Sequence, residues 1–302
     1  MSANQASAGP GEVVFGSSRQ IKRRGARSRA FSVVFGAITC FAIIILGVLL
    51  WTVISRGWAW VSWDFIKNMP SRKPENAGLN NALWGTIWVI SLTAVIALPI
   101  GIGAAVYLEE YAPHNWWTKV LQINISNLAG VPSVVYGLLG LGIFVELFRI
   151  GRVILAGSLT MALLILPIII IASQEAIKAV PLSLRQAAFA LGATKWQVAR
   201  HHVLPAAMPG ILTGTILAIS RAIGETAPLL VVGASLYLTY KPTSVLSGYT
   251  ALPIQIYQWT ALPQKEFREL AAAGIIVLLA LLLVMNAGAI YLRQRFSRNA
   301  KW

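Results

Sequence analysis

Cysteine is almost missing from this sequence: Cys40 is the one in 302 residues. A disulfide framework is therefore excluded, and no Cys or His cluster has the spacing of metal ligands. Charge is also scarce. Only 12% of residues are Asp, Glu, Lys or Arg, about half the share usual in soluble domains. Within that small set acids are scarcer still, 10 against 25 bases, leaving a net charge of +15. The fingerprint G-x-x-x-x-G-K-[ST] does not occur, and Gly192-Ala-Thr-Lys195 is not one, so no nucleotide-cradling loop is expected. No catalytic, cofactor-binding or metal-ligating residue is expected in this chain. With 57% hydrophobic residues and a mean hydropathy of +0.68, an ordinary soluble domain is excluded as well.

What the chain has is long apolar runs. Six are long enough to span a bilayer, over about 31–54, 82–108, 123–147, 153–172, 206–236 and 270–292. The first is too long for a signal-peptide core, and no A-x-A-like site follows it, so it reads as a retained span. Residues 1–30 form a polar tail ending in the basic cluster Arg19, Lys22, Arg23, Arg24, Arg27 and Arg29. Residues 293–302 form a basic C-terminal tail. With both tails inside, inner segments hold 15 of the 25 Lys and Arg residues and outer segments 9; the remaining one, Arg221, falls within a span. That asymmetry predicts an all-α integral membrane protein with six transmembrane helices, N-in and C-in. Trp51, Trp58, Trp60 and Trp63 suit an outer aromatic belt, and Trp116 and Trp117 an inner one. The basic balance thus comes from topology, which argues for contact with membrane lipid and against nucleic acid.

Small residues and prolines punctuate the spans. Pro99, Gly101 and Gly103 in the second, and Pro132, Ser133, Tyr136, Gly137, Gly140 and Gly142 in the third, predict kinked, closely packed helices. A short surface helix is expected in the outer segment 251–267, between Pro253 and Pro263. His114, His201 and His202 read as solvated or lipid-facing.

The inner segment 175–205 reads EAIKAVPLSLRQAAFALGATKWQVARHHVLP. Helix-forming stretches flank Leu191-Gly192-Ala193, and a glycine there can take the left-handed conformation that closes a helix. A helical hairpin is therefore expected, and its alanines with Phe189 and Leu191 suit docking to a partner better than lying on lipid. Gln186-Ala187-Ala188, Gly192 and Leu204-Pro205 resemble the E-A-A…G…I-x-L-P loop of ABC importer permeases. Gln186 stands where that family usually has glutamate, and His202 where it has isoleucine. The resemblance implies that Gln186, Ala187, Ala188, Leu191, Gly192, Ala193, Leu204 and Pro205 form a coupling loop for a separate ATPase subunit.

The fifth span contains ISRAIGETAP, residues 219–228. An arginine at the centre of a membrane helix costs roughly 2.5–3.5 kcal/mol on insertion scales, so it faces protein or water. Arg221 and Glu225 are spaced i, i+4 and are expected one helical turn apart on one face, able to pair. Gly210, Gly214, Ala218 and Ala222 add a stripe of small residues at every fourth position, which permits close helix approach. The plain structural reading is a clamp holding the bundle together; the functional one is a place in a substrate path. Thr226 carries two readings as well, a hydroxyl in that path or a back-bond to the carbonyl four residues earlier.

RAIGETAPLL resembles the R-A-x-G-E-T-A-P stretch of phosphate importer permeases of the PstA type. The stretches beginning at Asn127, Leu252 and Met285 resemble the same subunit, so the likeness runs from about residue 80 to the C-terminus. It implies a type I ABC importer permease (MetI-like) fold, with Arg221, Glu225 and Thr226 in the substrate path. It also implies partners: a PstC-type sister permease, two ATPase subunits holding ATP and magnesium, and an extracytoplasmic phosphate-binding protein. The setting would be the cytoplasmic (inner) membrane of a bacterium or archaeon. The chief alternative is a permease of the same fold for another oxyanion, such as molybdate, sulfate or phosphonate. A proton-coupled carrier, which would need no ATPase loop, and a structural anchor, which would need no charged pair, fit less well.

Overall fold

The computed structural model describes residues 18–234 and 237–298, and among them regular structure is entirely helical. The helices are α1 (Ser18–Gly57), α2 (Trp63–Lys67), α3 (Asn80–Val106), α4 (Trp116–Ala129), α5 (Ser133–Gly140) and α6 (Ile154–Lys178), followed by α7 (Leu182–Ala190), α8 (Lys195–Val198), α9 (Leu204–Gly224), α10 (Ala227–Val232), α11 (Leu252–Ala261) and α12 (Lys265–Arg298). Wider π-type turns extend α3 over Tyr107–Tyr111 and α5 over Leu141–Leu147, and join α8 to α9 over Ala199–Val203. Five stretches are long and apolar enough to cross a membrane: Phe31–Trp60, Asn80–Tyr111, Ile154–Lys178, Lys195–Gly224 and Lys265–Arg295. The pair Trp116–Ala129 and Ser133–Leu147, bent by 103°, makes a sixth when read as one span.

Residues 1–52 form one unit and residues 53–302 the other. The first unit contributes most of α1. The basic stretch from residue 18 to 30, part of the expected polar tail, is helical backbone continuous with the span; the rest of that tail, 1–17, lies outside the described residues. Thr39 and Thr52 donate to the carbonyls of Phe35 and Val48, one turn back, so these hydroxyls are satisfied within their own helix.

In the second unit α6 is the central helix, packed by α3, α9, α5, α4 and α10. Most of it is apolar and buried, and the hydroxyls of Ser158 and Thr160 within it donate to backbone carbonyls. Small residues set its neighbours at close range. A side chain at Gly101 of α3 would meet Ile169 Cγ2 at 2.7 Å. One at Gly210 of α9 would meet Ala176 Cβ at 2.7 Å, and Gly214 opposes Ala172 in the same way. The every-fourth-residue stripe of α9 is thus its face on α6, and Ala218 and Ala222 continue it fully buried. The α3 interface is pinned by hydroxyls, with Thr93 donating to the Ser158 carbonyl (3.2 Å) and Ser158 to that of Val89 (3.3 Å).

These pairs also fix directions. Residues 89 and 109 of the second span face 158 and 174 of α6, so the two run parallel. Residues 210 and 214 of α9 face 176 and 172, so α9 runs opposite to both. Ser220 meets Asn286 and Thr213 meets Arg293, which turns α12 back again. One end of the bundle therefore gathers the C-terminal ends of α3, α6 and α12 with the start of α9.

Three expectations need correcting. The third span is not a kinked rod but two helices at 103°. The ring of Pro132 excludes the helical position of the Leu128 carbonyl four residues earlier; that carbonyl instead accepts the Tyr136 hydroxyl at 2.8 Å. The fifth span, expected continuous over 206–236, ends at Gly224 and resumes as α10 at Ala227. Pro228 stands four residues after Gly224, so the same clash terminates it. Finally, the helix between Pro253 and Pro263 exists as α11 but is not a surface element: Leu252, Ile254, Gln255, Ile256 and Trp259 are buried. Leu252, Ile256 and Trp259 join Phe65, Leu79 and Phe267 in a second core at the end where α3 begins, while Ile254 joins the main core.

Candidate functional site

The fifth-span break places the charged pair. Arg221 occupies the last turn of α9, where a cation complements the negative end of the helix dipole. Glu225 is not on the helix: its backbone is extended (φ −76°, ψ 125°) and its N–H closes α9 on the Ala222 carbonyl at 3.2 Å. The expected pairing on a helix face is thus made across a helix end. Arg221 Nε donates to Glu225 Oε1 at 3.2 Å. Ala222 and Ile223 are buried on the other side of the helix, while the Arg221 side chain is 46% exposed and that of Glu225 20%. The Nη donors of Arg221 are bonded to no described residue. Among the described residues the Thr226 hydroxyl makes no back-bond to the Ala222 carbonyl four residues earlier, which accepts the Glu225 N–H. Arg221, Glu225 and Thr226 therefore come together at one non-helical corner, half open to surroundings. That corner is backed by α5: a side chain at Gly137 would meet Pro228 Cα at 2.8 Å.

The loop 175–205 is a helix, a turn and a second helix start. Residues 175–178 belong to α6, and 195–205 run through α8 into α9, so the second half of the expected hairpin is the beginning of a long span. Between them α7 closes by two reverse bonds: Ala193 N–H to the Ala188 carbonyl (3.2 Å) and Gly192 N–H to that of Phe189 (2.9 Å). This is the left-handed glycine closure, and Gly192 has φ +82°. Thr194 and Gln197 then cap α8 reciprocally. Ala188 is buried and seats α7 on the bundle, while Gln186, Ala187, Gly192 and Pro205 are exposed; Ala193 and Leu204 are half-buried. Leu191 is 90% exposed, and with Leu182, Phe189 and Trp196 gives this end an uncovered apolar surface.

Two acidic residues at the end of the second span escaped the sequence reading. Glu109 accepts from Gln174 Nε2 at 2.8 Å and pairs with Lys178 at 3.6 Å. Glu110 pairs with Arg185 of α7 at 3.1 Å. The signal was the doubled glutamate at an apolar run's end. Glu146, inside the third span, is a further intramembrane charge. His114 and His201 are exposed, His202 is half-buried, and no group of three metal-ligating side chains occurs among the described residues.

Comparison with known proteins supplies the family. Residues 97–298 match the model of the binding-protein-dependent transport system inner membrane component. The phosphate transport system permease protein PstA 1 of Mycobacterium tuberculosis is 34% identical over 286 residues, covering 92% of this chain and 91% of its own. PstA of Yersinia pestis is 34% identical over 87% of this chain and 88% of its own. A probable ABC transporter permease of Bacillus subtilis, YqgI, is 30% identical over 85% and 92%. Among solved structures, a bacterial alginate ABC transporter, in complex with its alginate-bound periplasmic protein, aligns with TM-score 0.62 over 92% of this chain and 96% of that one. The MetNI methionine ABC transporter aligns with TM-score 0.51 over 74% and 95%. At 16% and 18% identity these two speak for the fold alone. The chain belongs to the family of binding-protein-dependent transport system inner membrane components.

Proposed function

We propose that this chain is the membrane-spanning subunit of an ATP-driven importer of inorganic phosphate, forming half of its translocation path. The observation that carries this reading is the Arg221 guanidinium, half-exposed at the end of α9 with its Nη donors bonded to no described residue. A planar fork of that kind matches two oxygens of a phosphate. Glu225 brings the net charge of the corner to zero, which loosens the grip on an anion that has to leave again. Hydrogen phosphate also carries a proton for Glu225 to accept, whereas sulfate offers none. Thr226 adds a hydroxyl at the same corner. Relatives named as phosphate permeases, alike over about nine-tenths of their length, support the same cargo.

The rest of the machine follows from this assignment. A PstC-type sister would complete the path, and an extracytoplasmic phosphate-binding protein would deliver the substrate. Two ATPase subunits, holding ATP and magnesium, would dock on the loop 175–205; this chain itself would do no catalysis. The chain would lie N-in and C-in in the cytoplasmic (inner) membrane of a bacterium or archaeon, with the loop inside.

The test is uptake into vesicles holding the whole complex. ATP-dependent entry of labelled phosphate, undiminished by excess sulfate, is expected. Arg221→Ala should assemble normally and lose about tenfold or more of the transport, the worth of one charged hydrogen bond. Glu225→Gln should let sulfate compete. A wild-type complex that moves sulfate or molybdate as fast as phosphate would sink the assignment. An Arg221→Ala subunit that fails to assemble would make the pair a clamp.

A further inference from the structure

Arg185 is the α7 side chain whose hydrogen bonds reach the spans. Nε and Nη2 both meet Glu110 Oε1, at 3.2 and 3.1 Å. Nη1 donates to the Val180 carbonyl at 2.7 Å and Nη2 to that of Ile177 at 2.9 Å. Ile177 lies in the last turn of α6 and Val180 two residues beyond it, where carbonyls lack intrahelical partners from a following turn. Both side chains are largely buried, Arg185 15% and Glu110 13% exposed. One guanidinium therefore ties three elements: the end of the second span, the end of α6, and α7. Without it, α7 would hang between Pro181 and Gly192, held by apolar contacts such as those of Leu184 and Ala188.

We propose that Arg185 is a positioning residue that transmits the movement of the loop to the second span through Glu110. The proposal rests on the loop being the ATPase dock. Arginine suits the task because its flat fork serves a carboxylate and two carbonyls at once, which an ammonium cannot do with the same geometry. Partial burial makes the tie stiff, since breaking it leaves a carboxylate unpaired in a place water reaches poorly.

The experiment uses the full complex in vesicles, reading ATP hydrolysis, phosphate uptake and retention of the ATPase subunits together. Arg185→Ala is expected to keep the ATPase bound and hydrolysing while uptake per ATP falls about tenfold. Arg185→Lys, which keeps the charge but not the fork, should lie between. The exchange Arg185→Glu with Glu110→Arg should recover part of what either change alone loses. Uptake and hydrolysis falling in step, or no change in their ratio, would overturn the proposal. So would a pair exchange no better than its single changes. A wild-type complex that hydrolyses ATP without moving phosphate would count against the cargo, and the ratio of stimulated to basal hydrolysis in the Arg185 variants would still test the tie.

Discussion

Adding one methyl group at Gly210 tests the reading of the α6–α9 interface. A Cβ there would sit 2.7 Å from Ala176 Cβ and 3.5 Å from Ala176 Cα. Carbon atoms settle at about 3.5–4.0 Å, so the first contact is roughly 1 Å too short and the second is ordinary. Neither atom is the end of a flexible chain, so the two backbones must separate. Overpacking of this kind costs about 1–3 kcal/mol, which is roughly a 5- to 150-fold loss in the folding equilibrium. The deficit is attributable to one atom, Ala176 Cβ, so Ala176→Gly in the same chain should restore most of the loss. Gly214→Ala should be worse, because the Ala172 methyl lies closer still, and Ala172→Gly should rescue it in turn. Gly103→Ala is the control: a Cβ there meets nothing within 4 Å, and stability should hold or rise slightly with helix propensity. The assay is the thermal midpoint of the purified subunit in detergent, followed by two independent probes. A Gly210→Ala chain as stable as the parent, or one that Ala176→Gly makes worse, would refute the interface as described.

Two further substitutions bear on the turns. Gly192→Ala forces a methyl-bearing residue into φ +82°, at a cost of about 1–2 kcal/mol; ATPase retention should weaken roughly 5- to 30-fold, with Gly192→Asn milder, as titration of the ATPase onto reconstituted permease would read. Tyr136→Phe removes one of two donors to the Leu128 carbonyl, leaving the Val131 N–H at 3.1 Å, and should cost about 0.5–1.5 kcal/mol. Protease cleavage around residues 130–132 should rise with it; an unchanged cleavage rate would mean that Pro132 alone holds the bend.

Much of this architecture could be read from the sequence because bilayer chemistry is strict: a run such as 153–172 has no other use, and the small stripe at Gly210, Gly214, Ala218 and Ala222 named its own helix face. The glycine at 192 announced the loop closure, and the structure supplied the bonds. What stayed hidden depended on distance along the chain. Pro132 and Pro228 could be seen to disturb helices, but a 103° corner and a clean break follow from what the freed groups then find, namely a hydroxyl at Tyr136 and a carboxylate released from α9 at Glu225. Glu110 and Arg185 lie in different segments, and no local pattern joins them. The burial of α11 was illegible for a related reason: its prolines speak of a turn, while the surfaces that cover it come from α2 and α12.

The corner at Pro132 and the break at Pro228 close upon each other, with Gly137 seated on the Pro228 backbone. The two residues are far apart in sequence, and four helices, α6 to α9, separate the elements that carry them. During synthesis α5 would therefore emerge long before the surface it rests on. Until then α5 can rest on α6, where Gly140 lies against Thr160, but the seating of Gly137 on Pro228 waits for the fifth span to be inserted. The backing of the charged corner is in this sense completed late, and a chain interrupted before residue 227 would lack the Pro228 contact that ties α5 to it.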